Sequence, residues 1–250
     1  MSIKNKVAVV TGGARDIGRA VSEMLAAQGA RVVVNYRSNP EAGKATVAAI
    51  KKAGGEAVAV KGDMTVQEDV ENLVAKTVEA YGDTIDILVN VVGGLVARKT
   101  LAEMDADWFE WVMRLNVTST FMVTKAVVPH MSEGGSIINF SSQAGRDGGG
   151  PGASAYATSK GAIMTFTRGL AKELGPAGIR VNSLCPGMIA TTFHDTFTKD
   201  EVRTNVAAAT PLRREGKAGE IADLVAYLAS PAASFVTGAN IDINGGMLFS

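Results

Sequence analysis

The feature that most limits the fold of this chain is an alternation. Short apolar and β-branched runs stand at Val7–Val10, Arg31–Asn35, Ala57–Lys61, Ile85–Asn90, Ser136–Phe140, Arg180–Leu184 and Asn240–Ile243. Between them lie longer segments of helical periodicity, at roughly 17–28, 40–53, 66–81, 105–131, 155–174 and 218–229. The short runs are apolar at nearly every position, as strands are when both faces of their sheet are covered. The pattern predicts a single α/β domain over residues 1–250, built on a Rossmann-type doubly wound parallel sheet of about seven strands flanked by helices.

The first strand leads into Thr11-Gly12-Gly13-Ala14-Arg15-Asp16-Ile17-Gly18, and a helical pattern follows at once. A glycine-rich strand-to-helix turn lets the backbone approach a pyrophosphate, and the helix N-terminus adds unpaired N–H groups and partial positive charge. The chain holds 28 glycines, so a glycine pair alone would say little. Its position after the first strand is what points to a dinucleotide. Asp16 occupies the place where a middle glycine would allow close approach; its carboxylate is expected to cap the helix and turn away from the ligand. The second strand ends Val34-Asn35-Tyr36-Arg37, without the acid that bonds ribose hydroxyls in an NAD site. Arg15 and Arg37 could instead grip a 2′-phosphate through bidentate guanidinium forks, which predicts NADP(H) preferred over NAD(H).

The fifth strand runs into Ser141-Ser142, and beyond a glycine-rich stretch, Gly145 to Gly152, Tyr156 and Lys160 open a long helix. Four residues apart, they share one helical face. A free tyrosine titrates near ~10, too high for a base at neutral pH, and a nearby lysine cation favours the phenolate. A serine hydroxyl beside it can hold a carbonyl oxygen. Together they suit hydride transfer, in which the tyrosine gives a proton to the nascent alkoxide or removes one in the reverse direction. Tyr-x-x-x-Lys is common by chance, and the combination with the serine and the turn is what makes it specific.

Other chemistries fall away on composition. Lys+Arg and Asp+Glu are both 25, so nothing points to nucleic acid or anionic lipid. Cys185 is the single cysteine and His130 and His194 are the two histidines, which excludes an intrachain disulfide and makes a metal site improbable. No uncharged apolar run reaches transmembrane length. The N-terminal run reads as a first strand rather than a signal segment, so the expected location is cytoplasmic.

These residues resemble the short-chain dehydrogenase/reductase family, and the resemblance spans essentially the whole chain. It is carried by Thr11-Gly12 through Gly18, Asp63, Asn90 with Gly93, Asn116, Ser142, Tyr156, Lys160, Pro186-Gly187 and Asn244-Gly245-Gly246. The resemblance implies a catalytic set of Asn116, Ser142, Tyr156 and Lys160, with Asn116 holding a water of a proton relay. It implies cofactor contacts from Gly12, Arg15, Asp16, Ile17, Gly18, Tyr36 and Arg37, then from Asp63 (to the adenine amino group) and Met64. Further contacts are implied for Asn90, Gly93, Tyr156 and Lys160, and for Pro186, Gly187, Ile189 and Thr191 around the nicotinamide. No metal is implied. The chain departs from the family at Asp16, at Asn90-Val91-Val92-Gly93, and in a loop between Ser142 and Tyr156 that looks one residue longer.

The substrate stays open at this level. The chain as a whole is similar to 3-oxoacyl-acyl-carrier-protein reductases. Gly148 to Ala153, Gly93-Gly94-Leu95 and Thr192-Phe193-His194 are more similar to reductases of the keto-uronate made from alginate. Gly94, Gln143, Gly150 and His194 are candidate substrate residues, with Arg146 as a further polar group, and residues 187–212 are a candidate lid or a surface excursion with a short helix. Met188, Phe193 and Phe197 could line an acyl trench instead. A reading of another class is a non-catalytic dinucleotide sensor or scaffold. The resemblance, with apolar Ala162 to Phe166 on the Tyr156 helix and the Met247-Leu248-Phe249 end, predicts a homotetramer.

Overall fold

The structure is a computed structural model and describes residues 3–249. Seven parallel strands form one sheet in the order β3-β2-β1-β4-β5-β6-β7. They are β1 (Val7–Thr11), β2 (Arg31–Tyr36), β3 (Glu56–Lys61), β4 (Ile87–Asn90), β5 (Ser136–Phe140), β6 (Arg180–Pro186) and β7 (Asn240–Ile243). Chain order reverses between β1 and β4, where Thr11 stands beside Asn90. A crevice opens beyond the carboxyl ends of strands at such a reversal.

Helices cover both faces. On one, α1 (Asp16–Ala27) buries Gly18, Val21, Ser22, Leu25 and Ala26 at helical spacing. Its Val21 and Leu25 join Ile221 and Val225 of the C-terminal helix α10 (Ala218–Ala229) in one core that includes Val10, Val32 and Val89 from the sheet. α2 (Pro40–Lys52) completes that layer, with Asn39 as its N-cap and proline at its first turn. On the other face α3 (Gln67–Tyr81) gives Val70, Leu73 and Val74 to a second core with Val9, Val33, Leu88 and Ile137. The central strands β1, β4 and β5 are buried on both sides, which is why their sequences do not alternate, whereas the edge strand β3 mixes exposed and buried positions and β7 is half-buried throughout.

The segment 105–131, read from sequence as one helix, is helical from Ala106 to His130 but not of one type. It forms α4 (Ala106–Met113), a π-helical turn at Arg114–Thr118, α5 (Ser119–Val127) and a 3-10 turn at Val128–His130. The cause is local. Asn116 donates to the Val112 carbonyl at 3.0 Å, Ser119 to Leu115 at 2.6 Å and Thr120 to Asn116 at 3.1 Å, so three successive polar side chains compete for helical carbonyls. A wide turn of this kind often marks a functional position. α6 (Ala144–Asp147), which the sequence did not suggest, follows β5, and α7 (Ser154–Leu174) follows the glycine loop. The excursion after β6 holds two short helices, α8 (Thr192–Phe197) and α9 (Asp200–Ala209), rather than one. Among the described residues no helix is long and apolar enough to cross a membrane.

Candidate active site

The catalytic end is built where β5 meets α7. Ser141 donates to the Lys160 carbonyl at 2.7 Å, tying the strand end to the first turns of the helix. Gly145 lets α6 lie on α7, since a Cβ there would sit 2.7 Å from the Lys160 carbonyl carbon. Lys160 is 4% exposed, and its ammonium donates to the Phe140 carbonyl at 2.8 Å. Its Nζ lies 5.7 Å from the centre of the Tyr156 ring. Asn116 is fully buried on the π-turn. Its amide donates to the Gly94 carbonyl at 3.0 Å and its Oδ1 accepts the Gly94 N–H at 2.9 Å. Gly93 must be glycine here, because a Cβ would lie 2.5 Å from Asn116 Oδ1 and 2.9 Å from Lys160 Nζ. The structure thus brings Asn116, Ser142, Tyr156, Lys160 and Gly93 together from four separate elements.

Their electrostatics follow from burial. Burial pushes the Tyr156 phenol above its ordinary value, and a hydrogen bond with Ser142 pulls it partly back. Burial also lowers the Lys160 ammonium to about 8. At neutral pH the site therefore holds a neutral phenol next to a lysine cation close to losing its proton.

The phosphate turn sits at the reversal point. Gly12 has φ +62°, and a Cβ on Gly18 would lie 2.1 Å from the Gly12 carbonyl oxygen, so helix and turn approach as only glycines allow. Asn35 is buried. Its Oδ1 accepts the Gly12 N–H at 3.1 Å and its Nδ2 donates to the Gly62 carbonyl at 3.0 Å, so it braces the turn from beneath. Arg37 stands 3.8 Å from Asp63, whose other oxygen accepts from Thr65 N and Oγ1 at 2.9 and 2.7 Å. Arg15 projects outward with an 80% exposed side chain.

Asp16 corrects the sequence reading. Arg15 is the N-cap of α1, and no side chain caps that helix. The Asp16 carboxylate reaches across to Thr192, accepting its N–H at 3.0 Å and its hydroxyl at 2.5 Å. Asp16 itself has φ +49°, the left-handed conformation the replaced glycine would adopt. The strained backbone turns the side chain out of its own helix, so it cannot cap it.

These parts border one cleft of about 1160 Å³. It is lined at the turn by Gly12, Arg15, Asp16, Ile17, Gly18, Tyr36, Arg37, Asp63 and Met64. Toward the centre it is lined by Gly93, Gly94, Ser142, Gln143, Gly150, Tyr156, Pro186, Gly187, Ile189, Thr191 and His194. Asn90 is not among the lining residues. It is buried, with Nδ2 donating to Thr124 at 3.1 Å and Asn139 at 2.9 Å, and acts as scaffold below the floor. Asn116 and Lys160 also lie beneath the surface. The glycines of the turn fit a dinucleotide site: Gly12 takes φ +62°, and a Cβ on Gly13 or Gly18 would collide with Val10, Ser22 or the Gly12 carbonyl, so only glycines let strand, turn and helix N-terminus close up this tightly at the cleft.

Over the catalytic end sits an aromatic cover. Phe193 lies 6.0 Å from Tyr156, 5.1 Å from His194 and 5.2 Å from Phe197, between ring centroids. Burial, then the Arg203 charge, lowers the His194 pKa, so it is a neutral ring at pH 7, bonded through Nδ1 to Thr198 at 2.9 Å. Gln143 donates to Asp147 at 3.0 Å, and Arg146 is turned away from the cleft into an ion pair with Asp242 at 2.7 Å. Arg98, absent from the sequence reading, lines the cleft and donates to the Pro151 carbonyl at 2.9 Å and the Phe197 carbonyl at 3.3 Å. Among the described residues it forms no ion pair. The basic pair Arg98-Lys99, just beyond Gly93-Gly94-Leu95 at a strand's carboxyl end, was the signal available. Among the described residues no group of three or more His, Cys, Asp or Glu could hold a metal ion.

The family profile described as Enoyl-(Acyl carrier protein) reductase matches residues 12–248. The chain is 41% identical over 251 residues to the short-chain reductase protein NovJ of Streptomyces niveus, covering 97% of this chain and 94% of that protein. It is 38% identical over 247 residues to a 3-oxoacyl-acyl-carrier-protein reductase of Synechocystis sp., covering 97% of each. A solved NADH-dependent reductase A1-R′, responsible for alginate metabolism, superposes with a TM-score of 0.90 at 32% identity over 99% of both chains. With this match over nearly its whole length, this sheet order and these residues at the reversal point, the chain belongs to the short-chain dehydrogenase/reductase family.

Proposed function

We propose that this protein is a nicotinamide-dependent carbonyl reductase acting on a small polar keto acid of the keto-uronate type. The observation that carries the substrate class is Arg98. It is a cation without a carboxylate partner among the described residues, held at the substrate end of the cleft by carbonyls of the glycine loop and of the lid. A substrate carboxylate is the group that matches such a guanidinium. The neighbour named for alginate metabolism adds support of a different kind.

When bound, the dinucleotide supplies hydride to the carbonyl carbon. In this reading Ser142 holds the carbonyl oxygen, and Tyr156 passes its phenolic proton to that oxygen as the alcohol forms. The Lys160 cation, seated on the Phe140 carbonyl, stabilises the phenolate left behind, and Asn116 fixes the Gly93-Gly94 backbone against the site. Tyr156 then recovers a proton from solvent. Gly12, Ile17 and Gly18 would bind the diphosphate, and Pro186, Gly187, Ile189 and Thr191 the nicotinamide end. Arg15 and Arg37 at the cleft mouth, with neutral Asn35 buried, support NADP(H) over NAD(H). The NADH-dependent neighbour makes the cofactor comparison part of the test.

A second reading, reduction of a 3-oxoacyl thioester, is favoured by the apolar lining of Met188, Val206, Leu212 and Met247 and by the Synechocystis relative. A pure dinucleotide binder would have no use for the buried lysine and the serine–tyrosine pair. The test runs NADPH and NADH in parallel against a keto-uronate and a 3-oxoacyl thioester. Turnover of the keto-uronate supports the first reading. Turnover of the thioester alone supports the second, and cofactor binding without turnover of either favours the binder. A cytoplasmic homotetramer completes the proposal, on exposed Phe121 packed edge-on against Phe166 and on the 84% exposed Phe249. A monomer in light scattering at micromolar concentration would remove that part.

A further inference from the structure

The Asp16–Thr192 contact joins the phosphate turn to the lid across 176 residues of chain. Both carboxylate oxygens are used, one on the Thr192 N–H and one on its hydroxyl. Thr192 is the first residue of α8, so its N–H has no partner within the helix, and Asp16 supplies one from outside. The next residue is Phe193, which covers Tyr156. Neither α8 nor α9 has a fully buried residue; their apolar contact with the site is made by the half-buried Phe193 and Phe197. Polar ties add to these contacts: this one, the Arg203 bonds to Asp195 and Glu215, and Arg98 to the Phe197 carbonyl.

The same contact matters to the turn. Asp16 lines the cleft at the N-terminus of α1, where phosphate would bind. A carboxylate facing that site repels an anion. Arg15, the other charge near it, stands 3.9 Å away with its side chain 80% exposed. Thr192 thus keeps the charge turned aside.

We propose that Asp16 is a positioning residue with two linked effects: it sets the lid over Tyr156, and its pairing with Thr192 keeps its own charge off the dinucleotide phosphates. The proposal rests on the dinucleotide reading of the turn. It explains why an aspartate can occupy a left-handed glycine position at a phosphate site: the strain and charge are offset by seating the lid.

The test uses the full chain with Thr192→Val, Asp16→Gly and the double variant. Valine keeps the shape of threonine and removes the hydroxyl bond, leaving the backbone N–H at 3.0 Å as the one remaining tie to Asp16; glycine suits the backbone at φ +49°. Dissociation constants for NADPH and NADH are measured by fluorescence titration without substrate, and hydrogen exchange is followed over residues 192–209. Thr192→Val is expected to weaken dinucleotide binding about fivefold, the scale of one partly screened like-charge contact, and to speed lid exchange. The double variant is expected to regain unmodified affinity while its lid stays fast. Asp16→Gly alone is expected to bind dinucleotide at least as well as the unmodified chain, with a fast lid and a raised substrate KM. Three results overturn the proposal: Thr192→Val with unchanged affinity, a double variant as weak as Thr192→Val, or unchanged lid exchange in Asp16→Gly. If the unmodified chain binds neither dinucleotide, the reading of the turn fails, and exchange alone then decides whether the lid is tied.

Discussion

The floor of the active site and its cover are built in opposite ways. The floor is the junction of β5, the π-turn and α7. There Ser141, Asn116 and Lys160 are all buried, and α7 buries eight side chains from Ala155 to Ala171. Its polar bonds lie inside the core, where an unmade bond is expensive. The cover, residues 187–212, has two helices with no fully buried residue and polar ties reaching solvent. The proposed reacting groups therefore stand where the fold as a whole determines their positions. The groups proposed to select substrate stand where single side chains do, and can change without unfolding the protein.

The comparison breaks most sharply at Tyr156. Tyr156→Phe removes one hydroxyl from the floor and nothing from its packing. Turnover is expected to fall by about 10³-fold or more, within the usual range for a lost proton donor, with dinucleotide affinity and thermal stability nearly unchanged. Activity within tenfold of the unmodified chain would remove Tyr156 from the chemistry.

Lys160 tests the floor differently, since in the proposed mechanism its cation is used at a cost to stability. Its folded pKa of about 8 lies below the ordinary 10.5. Between those values the unfolded chain carries more protons, so this group's contribution to stability rises with pH through that window; below about 8 the full cost of the buried cation remains. Lys160→Met is expected to lose at least ~10²-fold in turnover while stability at pH 7 stays level or rises by roughly 1–3 kcal/mol, the lost bond to the Phe140 carbonyl offsetting part of the gain. In the unmodified enzyme, carbonyl reduction is expected to fall as pH rises through about 8, where the cation is lost. A reduction rate flat to pH 9.5, or a strongly destabilised Lys160→Met, would contradict this account.

The sequence showed the floor far better than the cover, and for a physical reason. Strands buried on both faces and a tyrosine–lysine pair at helical spacing are local patterns, so the sheet, the strand-to-helix turn and the juxtaposition of Tyr156 with Lys160 were legible, while Asn116 entered only through the family resemblance. The segment 105–131 was legible as helix, but its π-turn was not, because periodicity does not record side chains competing for carbonyls. Asn90 and Asn35 stand at strand ends where ligand contacts are expected, and only the packed structure shows their amides turned into the scaffold. Asp16 was read as a local cap because sequence sees neighbours, whereas its partner is Thr192. Arg98 has the same character, since its carbonyl partners come from two other loops.

On the cover side the larger effect belongs to Arg98. Arg98→Ala is expected to raise KM for a carboxylate substrate by about 10–100-fold, the value of a charge-assisted hydrogen bond, with kcat within a few-fold and KM for a neutral ketone unchanged. Equal losses on charged and neutral substrates would mean that Arg98 only props the glycine loop through the Pro151 carbonyl. Arg203 gives the smallest effect. It joins α9 to Glu215 by two half-buried bonds of 2.7 and 2.8 Å and to the exposed Asp195 by a third. Ion pairs that keep some contact with water contribute little and weaken with salt, the Asp195 bond more than the better shielded Glu215 pair. Arg203→Met is expected to leave thermal stability and kcat unchanged, to raise KM about twofold, and to speed hydrogen exchange over residues 192–209. The shift in KM should shrink as salt is added to the unmodified chain, because salt weakens there the same tie the substitution removes. A variant that lowers the melting temperature and kcat together would show that the cover is as much a part of the core as the floor, and the contrast between them would fail.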